Sequence, residues 1–71
     1  MNTTRKTIKE LSCDKYHYNK YEVEQLKQVY SKGSAIPCPF VNSKNEVVAF
    51  YSSFFALQEL NVPDTGVVCL D

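Results

Sequence analysis

A chain of 71 residues with 44% apolar and 23% charged side chains reads as one small globular domain rather than a disordered tail. Eight basic and eight acidic side chains cancel, which removes the cationic excess that non-specific nucleic-acid binding requires. No apolar run approaches the roughly 18 residues of a membrane span, and the polar opening from Met1 to Lys6 has no hydrophobic segment behind it, unlike a secretory signal.

A domain of this size buries only about 60–65% of the surface its unfolded chain exposes, so a dimer or a bound partner would add useful stability. Charge is uneven along the chain. Residues 1–33 hold seven basic against four acidic side chains, and residues 34–71 one against four. Three cysteines, Cys13, Cys38 and Cys69, are an odd number at wide spacing. Without a signal segment they read as reduced thiols in a cytoplasmic protein. Small size and the lack of tryptophan fit an accessory product of a phage or mobile element.

In chain order, residues 1–6 are polar and expected to be flexible. Thr7-Ile8-Lys9-Glu10 has the form of a capping box and predicts a short helix ending near Ser12. Asn19-Lys20-Tyr21-Glu22 repeats that form, and the sequence after it is helical in period. Val23, Leu26, Val29 and Tyr30 share one face and Glu24, Gln28, Ser31 and Lys32 the other. Gly33 is the expected stop for a helix over residues 20–32, with Tyr21 on its polar side.

Ile36, Cys38 and Phe40 alternate with Pro37 and Pro39, which predicts an extended edge strand, since proline cannot donate to a ladder. Asn42 to Glu46 is a polar turn, and Val47 to Tyr51 a strand by β-propensity. Together they make a hairpin. Ser52 or Ser53 is expected to cap a short helix from Phe54 to Leu60, with Phe54, Ala56, Leu57 and Leu60 inward and Phe55 toward water. Pro63 to Gly66 reads as a turn and Val67 to Leu70 as a last strand. The order α(α)ββαβ predicts a small α+β domain with an antiparallel hairpin or sheet packed against helices.

Catalytic motifs are absent. His17 is the sole histidine, and no nucleophile motif surrounds it. Gly33 and Gly66 are too far apart for a phosphate loop, and Glu22 and Glu24 point to different parts of a solvated helix face. No enzyme activity and no cofactor are expected. Cys13, His17, Cys38 and Cys69 make one complete Cys3His set, with Cys13 and His17 at i and i+4. The closely spaced ligand pairs of zinc sites are missing, so the cysteines read as small hydrophobes and no metal is expected.

Aromatic side chains carry the stronger signal. Tyr16, Tyr18 and Tyr21 cluster around His17, and together with Phe55 they are candidate anchors of a protein interface. An exposed strand edge could also pair two copies of the chain. The leading expectation is a small regulator or inhibitor that works by binding another protein.

A family resemblance adds an alternative. Thr7-Ile8-Lys9-Glu10-Leu11, a helix ending at Gly33, Ile36-Pro37, a strand over Val47 to Phe50 and a closing helix to Leu60 are similar to the excisionase and AlpA-like winged-helix pattern. The likeness spans about residues 7 to 60. It implies that Asn19 to Lys32 is a recognition helix. Tyr18, Lys20, Tyr21 and Lys27 would then face DNA, and Lys44 at the hairpin tip would touch backbone phosphate.

Overall fold

The computed structural model describes residues 2–70, an α+β domain with two α-helices and a mixed four-stranded sheet. Met1 and Asp71 lie outside the described residues. Strand β1 spans Asn2–Thr7, helix α1 Lys20–Ser31, β2 Phe40–Val41, β3 Val47–Ala49, helix α2 Tyr51–Glu59 and β4 Asp64–Cys69. Two 3-10 turns, Ile8–Glu10 and Lys15–His17, lie between β1 and α1. The sheet order is β1-β4-β2-β3, with β1 and β3 antiparallel to their neighbours and β2 parallel to β4.

Residues 2–6, which polarity predicts to be flexible, form the sheet's outer strand instead. All six residues of β1 pair with β4, from Asn2 opposite Cys69 to Thr7 opposite Asp64. Arg5 reinforces the pairing through a salt bridge to Asp64. Backbone pairing to an ordered neighbour thus holds a segment that has no apolar pattern of its own. The parallel β2–β4 pair makes the sheet mixed rather than purely antiparallel.

The proline-flanked strand is an interior one. β2 lies between β4 and β3, and only Phe40–Val41 are paired. Pro39 contributes its carbonyl, which accepts from Val68 N at 3.0 Å, so its missing donor costs the ladder nothing. Ile36 and Cys38 precede the strand. Cys38 is exposed rather than a core residue.

Helix α1 matches its sequence signals. Asn19 caps it, accepting from Glu22 N at 3.1 Å, and Gly33 at φ 88° ends it. Val23 is fully buried. The inward stripe is narrower than its period predicts, because Val29 and Tyr30 near the C-terminus remain exposed.

Helix α2 departs furthest from expectation. It begins at Tyr51, so Ser52 and Ser53 lie inside the first turn rather than capping it. Ser52 through Leu57 are all buried, a helix covered on every side rather than amphipathic. Phe55 is only 5% exposed. Its ring packs edge-on against Tyr18 at 5.2 Å and Phe54 at 5.4 Å, so the segment before α1 roofs the face that spacing predicted to be wet. The core also contains Ile8, Leu11, Val41, Val47 and Val67.

Truncating Phe55 should therefore behave as a core change. Phe55→Ala is expected to cost about 3–5 kcal/mol and Phe55→Leu considerably less, measured by urea denaturation. A loss under about 1 kcal/mol for Phe55→Ala would contradict its burial.

Candidate protein-binding surface

The surface begins at Phe50. Strand β3 ends at Ala49 and α2 begins at Tyr51, so a single residue makes the whole turn. It does so in the left-handed conformation, at φ 58° and ψ 46°. That region costs a residue with a Cβ of order 1–2 kcal/mol. The strained Phe50 is also 48% exposed, with its ring 5.2 Å from Phe40.

Phe50 and Tyr51 form one wall of an open cleft of about 440 Å³ whose lining includes Tyr21, Leu26, Pro37 and Ser53. Tyr21 is 74% exposed. Glu22 stands in the same cleft, where the Ser52 hydroxyl donates to its Oε1 at 2.9 Å. The capping-box reading had this carboxylate turn back to Asn19, but it reaches the neighbouring helix. Ser53 is 1% exposed, and its hydroxyl has no hydrogen-bond partner.

Tyr51 also borders a second cleft of about 480 Å³, with Cys13, Asp14, His17 and Glu46. His17 stacks flat on Tyr51, with centroids 3.8 Å apart and planes at 6°. The exposed Tyr16 meets His17 edge-on at 5.7 Å. Tyr21, Phe50 and Tyr51 thus line the first of two adjoining clefts and His17 and Tyr51 the second, with Tyr16 beside His17. Burial pushes the Cys13 thiol up from its ordinary pKa, which disfavours the reactive thiolate.

The sequence-derived candidates separate into two groups. Tyr21 lines the first cleft and Tyr16 lies beside the second against His17, whereas Phe55 is buried in the core and Tyr18, itself exposed, packs over Phe55. The Tyr18 hydroxyl donates to Glu59 Oε2 at 2.7 Å. Lys27 Nζ lies 3.0 Å from Glu24 and 3.1 Å from Glu59. Tyr18 and then Lys27 hold the Glu59 carboxyl below its usual range. The same bond to Glu59 raises the Tyr18 phenol, and Glu24 followed by Glu59 raises Lys27. Two of the five residues that the winged-helix resemblance would turn to DNA are therefore engaged within the fold. Lys20, Tyr21 and Lys44 are exposed.

Cys13, His17, Cys38 and Cys69 do not converge. Among the described residues, no three His, Cys, Asp or Glu side chains are grouped to hold a metal ion. Strand pairing between two copies would fall to β1, since it is the sheet's outer strand and Ser12 bridges to Glu46 beside β3. No helix among the described residues is long and apolar enough to cross a membrane.

Sequence reasoning missed Phe50 and the cleft. The available signal was a strand running into a helix with no loop residues between them, which forces one residue into an unusual conformation.

Comparison with known proteins identifies the fold. No family model and no curated protein matches the sequence. Among solved structures, the chain is similar to one crystal form of the Pnob8-like ParB-N domain. The TM-score is 0.76 at 14% identity, over 96% of this chain and 29% of that one. It is likewise similar to the pNOB8-like ParB N-domain, with a TM-score of 0.75 at 11% identity, over 96% of this chain and 26% of that one. The chain shares the fold of ParB N-domains and spans less than a third of the length of these neighbours.

Two measurements test this geometry. Phe50→Gly relieves the left-handed strain but loses the Phe40 contact and loosens the unfolded chain, so stability should stay within about 1 kcal/mol of the parent. Phe50→Val should cost about 2 kcal/mol, because a β-branched residue fits that conformation badly. Glu59, with its lowered pKa, contributes stability that is full above the ordinary carboxylate range and is lost as pH falls through its folded value. Glu59→Gln should therefore flatten the acid limb of the stability profile, the gap between parent and variant closing on acidification.

Proposed function

We propose that this chain is a small non-enzymatic binding module that docks another protein on the clefts flanking Tyr51. The observation that carries this reading is the strained, half-exposed Phe50. Backbone strain in an exposed aromatic marks a position kept for something other than stability, and Phe50 lines, with Tyr21, an open, mainly apolar cleft. Tyrosine and phenylalanine suit such anchoring because they bury large area with few torsions to freeze. The likeness to ParB N-domains supports DNA partitioning as the setting for this binding. A role as regulator or inhibitor within it would follow from occupying a partner's surface.

A second reading, direct DNA binding of excisionase or AlpA type, has Lys20, Tyr21 and Lys44 in its favour, since all three are exposed and neither lysine is ion-paired. The acidic Glu22 beside Tyr21 opposes it.

A photo-crosslinking side chain at position 21 or 50, in the full chain in host extract, should yield a protein adduct. The same group at the exposed Lys9 should not. Equal adducts from all three positions, or none, would refute docking at the cleft. A gel shift with duplex DNA that disappears in Lys20→Ala and Lys44→Ala would establish the second reading instead.

A further inference from the structure

The carboxylates divide into two groups. Glu10, Glu24, Glu59 and Asp64 each pair with a Lys or Arg. Asp14, Glu22 and Glu46 have no such partner among the described residues, and these three line the two clefts around Tyr51. Their bonds are to neutral donors. Glu22 accepts from the Ser52 hydroxyl, Asp14 from Tyr16 N and Glu46 from the Asn42 amide. Lys15 borders a different hollow with Tyr18, Phe55 and Glu59, and Lys20 and Lys44 are exposed with no salt bridge to these carboxylates among the described residues.

Unspent negative charge therefore surrounds exposed aromatic rings, and the buried Ser53 hydroxyl in the first cleft lacks a partner. We infer that the occupant of the Tyr51 clefts is an extended, arginine-bearing segment of the partner protein. Resting on the docking reading above, this names its chemistry. A guanidinium suits the site better than an ammonium. It stacks on aromatic faces, presents a planar fork to a carboxylate, and is the less strongly hydrated of the two cations. One arginine enters between Tyr21 and Tyr51 against Glu22. A second, on the far side of Tyr51, meets Asp14 and Glu46. A phosphate backbone would meet repulsion from the same three carboxylates.

The probe is a synthetic octapeptide alternating arginine with glycine, followed by backbone amide NMR of the full chain. A lysine counterpart and a single-stranded oligothymidylate serve as comparisons. Binding should shift Tyr21, Glu22, Phe50, Tyr51 and Ser53, more tightly for arginine than for lysine. Glu22→Gln, whose amide oxygen still accepts from Ser52, should weaken it about five-fold. Glu24→Gln, outside the clefts, should leave it unchanged. Shifts spread evenly over all acidic surfaces, an unaffected Glu22→Gln variant, or stronger cleft shifts with the oligonucleotide would each overturn the inference. Position-specific crosslinks at 21 and 50 without any peptide response would sink this chemistry while leaving the docking reading intact. Loss of both would sink both.

Discussion

Everything in this fold depends on enclosing α2. Six consecutive buried residues, Ser52 to Leu57, leave the helix no solvent face, so three other parts of the chain must cover it. Helix α1 packs along it, the sheet supplies Val41, Val47 and Val67, and the segment from Leu11 to Tyr18 closes the remainder. In a 71-residue chain there is little else to build a core from. The enclosure also explains the Tyr18–Glu59–Lys27 cluster. It ties the covering segment and α1 to the end of α2, and exposed pairs of this kind gain from acting as a network rather than singly.

A second constraint follows from the first. To place α2 under the sheet directly after β3, the chain turns within one residue, and Phe50 bears that turn in a conformation glycine would adopt more cheaply. A glycine would have removed the exposed ring along with the strain. The aromatic side chain and the turn are separable requirements met at one position, and the ring contributes little to the core, since its one aromatic neighbour, Phe40, is itself only half-buried. The clefts on either side of Tyr51 are thus a by-product of how the helix is inserted, which is why they combine α1, α2 and the residues before β2 and α1.

Much of the architecture was legible in the sequence wherever one face is dry and the other wet. Asn19, the Val23–Leu26 stripe and Gly33 define α1 to within a residue, and the Asn42–Glu46 turn and the start of the next strand follow from composition, but that strand ends at Ala49 rather than at Tyr51, which opens α2. Legibility fails where that contrast is absent. β1 is a polar strand held by its neighbour's backbone, so Asn2 to Thr7 have no period to detect. Phe55 was misread because helical spacing assigns faces only to a helix that has an outside. Pro37 and Pro39 pointed to a sheet edge, but the pairing avoids their nitrogens. Tyr16 and Tyr21 are exposed, as expected of candidate anchors. Tyr18 could not be told apart from them, because its hydroxyl partner lies 41 residues away.

The charge balance shows the same limit from another side. Zero net charge argued against a polyanionic partner in general terms, yet it says nothing about where charge is spent. Four carboxylates share three cations, Arg5, Lys6 and Lys27, in pairs beside β1 and between the helices. Those pairs are largely exposed and contribute little singly. Among the described residues they leave Asp14, Glu22 and Glu46, around Tyr51, as the carboxylates without a cationic partner. An incoming cation therefore meets a localised field beside low-dielectric aromatic walls, where attraction is less screened than on open surface. Apolar area alone would accept many partners. On the docking proposal, the three unpaired carboxylates would supply the discrimination, by favouring cationic occupants and by imposing an uncompensated charge on any partner that lacks one.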